Sequence, residues 1–338
     1  MTIKILDKSN YKKFTNFLKK NVKANHIFTL NKKLFDWMYY DLLKKKYNFY
    51  IYISVNKKIL STKGFQPISH FDNNLKTKDL FFSMWNSIFP TAGIKLFNFI
   101  LKKKKFRFIG GMGFSKHSYV YQKYLGFNVG EMKHSYRISN KIKKFKIASV
   151  NKTFINNKKT FFGNNYINLG KNNIDKVHFE KIFSKQIPTK SKDYLLNRYI
   201  NHPKYKYIIY GSVLKNFYVS SVIVLRKCFY KDRCAIKIVD FIGLNKNFKY
   251  FDKLFFNFLQ KKNIEYIDLY SFGLPSIFIK QCGFKIRDKR DKNIIPNFFE
   301  PILKSNVSIK FGFRCKETFV KQVKLFRGDS DMDRPNIL

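Results

Sequence analysis

The sequence is poor in tryptophan, with two in 338 residues, in cysteine, with four, and in arginine, with ten of its 68 basic residues. Each shortage excludes something. Cys228, Cys234, Cys282 and Cys315 have no paired metal-ligand spacing, so no zinc module and no metal site is expected, and they read as reduced thiols. No apolar run approaches the roughly 20 residues that span a bilayer, and the N-terminal stretch from Met1 to Phe14 lacks the apolar core of a signal peptide, so a cytoplasmic protein is expected. A sequence-specific nucleic-acid reader concentrates arginine on one element or carries a recognisable module. Neither is visible here. The formal charge of +47 rests on 58 lysines spread over nearly every segment among Asn, Ile, Phe and Tyr, as an AT-biased coding sequence would produce. Specific nucleic-acid binding is therefore not expected, while peripheral attraction to acidic lipid stays compatible with the charge.

What the chain does have is core material. Hydrophobic residues make up 45% and aromatics 18% of a chain long enough for two domains. Tyr11, Phe14, Phe17 and Leu18 recur at helical spacing, and Asn31 is a good N-cap for a short helix carrying Asp36 and Trp37. Residues 47–55 and 59–66 read as a hairpin. From Leu80 to Val129 the order is strand, a turn at Pro90–Gly93, a helix over 94–103, a strand over 106–110, a Gly-rich turn and a helix closing at Leu125-Gly126-Phe127. A helix that starts where a strand ends leaves backbone N–H groups pointing at whatever anion sits above the turn. A tight strand-to-helix turn with no ligand fits the same residues.

This order of elements resembles the core of the GNAT acyltransferases. The family's phosphate turn has Gln or Arg, two residues, Gly, one residue, then Gly or Ala; here Pro90, Gly93 and Lys95 stand at those places. The resemblance implies that Thr91, Ala92, Gly93, Ile94 and Lys95 bind acetyl-CoA or a related acyl-CoA as co-substrate. It also implies a tyrosine on the last helix that returns a proton to the thiolate. Tyr121 is the nearest match, with Tyr119 and Tyr124 close enough to compete. His26 is the candidate general base, and Asp36 and Trp37 border the expected acceptor pocket.

After a polar stretch, residues 193–284 repeat the pattern: helix ending at Pro203, strands over 205–210, 217–225 and 235–242, a helix over 250–259, a strand over 266–270 and a helix to Gly283-Phe284. The expected fold class is α/β (α+β), two tandem GNAT-like domains, each a mixed, mostly antiparallel sheet flanked by helices. The expected limits are 1–145, a linker over 146–175, a second domain over 176–320 with a degenerate cofactor turn, and an acidic tail over 321–338. Arg198 and His202 are candidates for holding an anionic substrate. The Asp-rich ending resembles GNAT-like proteins of bacterial surface-polysaccharide clusters, which implies transfer to an amino sugar or a nucleotide- or lipid-linked sugar. Two alternatives stand beside it: a Fem-like ligase using aminoacyl-tRNA, and a silent scaffold. Other motifs stop short. Gly113-Phe114-Ser115-Lys116-His117 begins like a nucleophile elbow but lacks the closing glycine.

Overall fold

Alternation of aromatic and aliphatic residues builds the first sheet. In strand β4 (Phe49–Ile53), Phe49 and Ile51 enter one core while Tyr50 and Tyr52 enter another, so the sheet is covered on both faces. The computed structural model describes residues 1–151, 162, 165–176, 186–213 and 219–336. The chain divides into two units: unit 1 takes 1–129, 311–317 and 330–338, and unit 2 takes 130–310 and 318–329.

Unit 1 begins with β1 (Thr2–Ile5), α1 (Tyr11–Asn21), α2 (Ile27–Leu30) and α3 (Lys32–Tyr39). A small hairpin, β2 (Tyr40–Asp41) and β3 (Lys46–Tyr47), leads into β4, β5 (Ile59–Pro67) and β6 (Asp79–Ser87). Then come α4 (Pro90–Lys103), β7 (Phe108–Met112), α5 (Lys116–Tyr124) and β8 (Asn128–Glu131). The sheet order is β1-β4-β5-β6-β7-β16-β8, where β16 is Lys310–Cys315. β6 and β7 pair in parallel. Phe14 and Leu18 of α1 and Phe35 and Met38 of α3 pack on one face. Leu96, Phe97 and Ile100 of α4, at helical spacing, cover the other. Gly126 sits at φ +75, the left-handed conformation that ends α5.

Unit 2 contains β9 (Lys133–Ile138), β10 (Asn165–Asn168), β11 (Tyr207–Val213), β12 (Val219–Tyr230), β13 (Arg233–Gly243), β14 (Ile264–Phe272), β15 (Lys285–Ile286) and β17 (Leu325–Phe326). The sheet runs β10-β11-β12-β13-β14-β9-β15, with β17 also on β14; again one pair, β13 and β14, is parallel. Phe248, Phe251, Phe255 and Phe258, from a helical stretch over 245–259, pack on Ile236, Ile238 and Phe241. Two mixed sheets flanked by helices match the expected fold class.

The structure moves the expected limits. Residues 133–138 pair with β14 over six positions, so they belong to unit 2 rather than to a first domain ending at 145. The buried carboxylate of Glu265 accepts the N–H groups of Lys146, Ile147 and Ala148, which packs the start of the expected linker into unit 2. Residues 152–161 of that linker, and 217–218 of the expected strand, lie outside the described residues. Nor is the acidic ending a tail. Asp329 of unit 2 ion-pairs with Lys190 at 2.7 Å, while in unit 1 the Ser330 hydroxyl donates to the carbonyl of Phe82 at 2.5 Å.

Candidate active site

The site in unit 1 grows from the way β6 meets α4. Helix α4 starts at Pro90, four residues earlier than the expected Ile94, because proline suits the first helical position, where no N–H is needed. Thr91–Lys95 are therefore the first turns of a helix and not a separate loop. Phe89 caps the helix with extended backbone and no side-chain hydrogen bond. Phe89 thus leaves the first N–H groups without a side-chain cap, and they have no carbonyl within the helix. Gly93 donates to Phe89 O only at a long 3.4 Å. A Cβ on Gly93 would lie 3.1 Å from Trp85 Nε1 and 3.2 Å from Ser87 Cβ, so glycine lets the first turn rest on the end of β6.

β6 and β7 pair in parallel only from Asp79 to Phe81, opposite Phe108 to Gly110, and β6 runs on to Ser87. The two strands part beyond that point. At the closed end Arg107 forks onto the buried carboxylate of Asp79, with Nε to Oδ1 at 2.8 Å. In the gap Phe82 O accepts from Ser330 instead of from β7. A cavity of about 330 Å³ opens at the far end of β6, lined by Trp85, Ser87, Phe89, Gly93, Ser115, His117 and Tyr121 among others.

Tyr121 reaches this cavity from α5, where the Ser115 hydroxyl caps the first turn by accepting from Ser118 N–H at 3.2 Å. The Tyr121 hydroxyl donates to Asn98 Oδ1 of α4 at 2.9 Å. Burial raises its pKa, against a lowering by Asn98, so the phenol keeps its proton at neutral pH. Behind the cavity wall Trp85 stacks on Phe97 at 4.9 Å. Lys63 of β5 lies beneath, 2% exposed, its ammonium 4.5, 4.8 and 5.1 Å from the ring centres of Phe82, Trp85 and Phe97. Burial, partly offset by Asp331, pushes this amine down to about 7.

Of the residues singled out in the sequence, Tyr121, Gly93 and Ile94 line the cavity; Thr91, Ala92 and Lys95 share their helix. The others hold structure elsewhere. His26 caps α2, its Nδ1 accepting from Phe28 N–H at 3.2 Å, and burial followed by Arg334 and Lys23 lowers it to about 4. Asp36 accepts from the Tyr47 hydroxyl at 2.7 Å and pairs with Lys32. Trp37 packs on Phe71, ring centres 5.2 Å apart. In unit 2, Arg198 is buried and donates to Gly328 O at 3.1 Å, and His202 Nδ1 accepts the N–H groups of Lys204 and Tyr205. His117, Ser115 and Asn98 were missed as site residues. The first two sit in the run read only as an incomplete nucleophile elbow, and Asn98 carries no signal beyond a polar residue on an apolar helix.

The corresponding place in unit 2 is filled by the chain itself. β17 pairs with Ser271 and Phe272 of β14, and Gly328 N–H donates to Val239 O of β13 at 2.7 Å. Lys190, fully buried, holds this segment with Asp240 and Asp329, each at 2.7 Å. A strand insertion thus fills in unit 2 the place that in unit 1 receives the Ser330 contact to Phe82.

No protein-family model matches the sequence, and no curated protein matches it. Solved structures do. A conserved protein of unknown function from Enterococcus faecalis V583, described as a probable N-acyltransferase, aligns over 95% of this chain and 73% of its own, with a TM-score of 0.55 and 10% identity. A GCN5-related N-acetyltransferase from Anabaena variabilis ATCC 29413 aligns over 93% of this chain and 72% of its own, with a TM-score of 0.54 and 10% identity. At such identities the likeness is one of fold, and the fold of this chain is the one these two proteins share.

Proposed function

We propose that unit 1 is the catalytic unit of an N-acyltransferase that takes an acyl group from acetyl-CoA or a related acyl-CoA and transfers it to the amine of an amino sugar or similar surface-glycan precursor. The observation that carries this reading is the cavity beside Tyr121 at the N-terminus of α4, where Phe89 gives no side-chain cap. The site fits the co-substrate. The N–H groups of Thr91 and Ala92, at the positive end of a 14-residue helix, suit pyrophosphate oxygens, and Lys95, exposed on the same helix, supplies a point charge.

In the reaction the acceptor nitrogen forms a bond to the acyl carbon and the carbon–sulfur bond breaks. His117, at the cavity, takes the proton from the attacking amine. Tyr121, protonated and oriented by Asn98, gives its proton to the departing thiolate. Trp85 and Phe89 supply the apolar walls that exclude water. Unit 2, with its gap filled, takes no part in binding the thioester in this reading.

Calorimetric titration with acetyl-CoA tests the proposal, using wild type and Thr91→Glu. Thr91 is exposed, so the variant folds while placing a carboxylate over the N–H groups that phosphate needs. Binding in the wild type that is lost in the variant supports the reading. A folded wild type that does not bind, or a variant that binds equally, sinks it.

A further inference from the structure

The β2–β3 hairpin of unit 1 presents an arrangement the catalytic reading does not use. Tyr40 pairs with Tyr47 and Asp41 with Lys46, and the turn between them is Leu42-Leu43-Lys44-Lys45. Leu42 is 79% and Leu43 81% exposed, the two most exposed leucines of the described chain. The turn is held rather than loose: Asp41 Oδ1 accepts from Lys44 N–H at 2.9 Å, Lys45 takes φ 51, and the Tyr40 and Tyr47 rings meet at 5.1 Å. Cations gather around it. Lys44, Lys45 and Lys46 follow the leucines directly, Lys8 lies 4.7 Å over the Tyr40 ring, and Lys104 is close enough for Lys44 to act on its charge. The nearby carboxylates are engaged, Asp41 by Lys44 and Asp36 by Lys32. Beneath the tip a hollow of about 280 Å³ is lined by polar groups that include Lys44, Asn48, Ser69 and Asn73.

From this geometry we infer that the Leu42–Leu43 turn docks unit 1 on an anionic lipid surface, the leucines entering the acyl boundary and the lysines meeting the headgroups. Adjacent exposed leucines beside a lysine cluster are the pairing that an interface of apolar chains and negative headgroups rewards. A nucleic acid would use the lysines and leave the leucines in water. A turn already held by Asp41 and by the Tyr40–Tyr47 ring contact has less freedom to lose on docking. This inference is independent of the acyl-transfer reading, because neither leucine lines the cavity beside Tyr121.

The test is co-sedimentation with vesicles of one part phosphatidylglycerol to two parts phosphatidylcholine, using wild type, L42N/L43N and K44Q/K45Q/K46Q. All five positions lie in the hairpin, and the two leucines are in water, so the apolar variant keeps its fold, which circular dichroism checks. Wild type is expected to bind. L42N/L43N should bind at least about tenfold more weakly, the loss expected when two leucine side chains no longer leave water. K44Q/K45Q/K46Q should weaken binding by a similar factor, with a smaller dependence on salt. A wild type that stays in the supernatant, or L42N/L43N sedimenting like wild type, overturns the inference. So does tighter binding to single-stranded RNA than to vesicles, with the leucine variant unaffected.

Discussion

Replacing Lys63 by methionine should stabilise unit 1 at neutral pH, by an amount that fades as pH rises. The side chain is 2% exposed and its amine is pushed from 10.5 to about 7, chiefly by burial, with Asp331 acting in the opposite direction. Between those two values the unfolded chain holds a proton that the folded chain has released. Stability therefore climbs with pH through that window, by about 1.4 kcal/mol per pH unit. Below pH 7 the folded state carries the whole penalty, on the order of 5 kcal/mol, less whatever the three aromatic faces return. Lys63→Met keeps a chain of similar length and removes the charge. Urea unfolding from pH 6 to 10, followed by tryptophan fluorescence, is the assay. Trp37 and Trp85 both lie in unit 1, so the signal reports that unit. The variant should be the more stable at pH 6 to 7, and the two profiles should converge toward pH 10. Parallel profiles, or a variant less stable at pH 6, would refute the reasoning.

Tyr121→Phe should lower kcat about a hundredfold with KM little changed, since only the proton to the thiolate is removed; Asn98→Ala should give a smaller loss of the same kind, and steady-state transfer to an amino-sugar acceptor measures both. Lys190→Met leaves Asp240 and Asp329 buried without their cation, at a cost of about 3–5 kcal/mol. A thermal scan by tyrosine circular dichroism should show unit 2 melting on the order of 10 °C lower, and an unchanged Tm would refute the assignment.

Legibility of the sequence followed the range of the interactions. The hairpin over 47–66, the strand of β6 and the end of α5 at Gly126 are set by alternation, spacing and a left-handed glycine, all local, and they stand where the pattern put them. Helix α4 began early because Pro90 was read as a breaker when its position made it a starter. His26, expected as the general base, stands where a local pattern also explains it, as the cap of α2. Lys63 was not legible at all. Among 58 lysines nothing marks the one whose strand position turns it under Trp85 and Phe97. The docking of Asp329 on Lys190 and of Ser330 on Phe82 joins residues far apart in sequence, where pattern reading has no purchase.

Strand β16 has a consequence for how the protein is made. It pairs with β7 from Phe108 to Met112, yet it is translated only after residues 130–309. Until then a nascent unit 1 presents Phe108-Ile109-Gly110-Gly111-Met112 as an unpaired strand edge, the kind of surface on which chains join one another. The order of synthesis thus leaves the first unit begun to be completed late, and a fragment ending at Val129 would carry that open edge permanently.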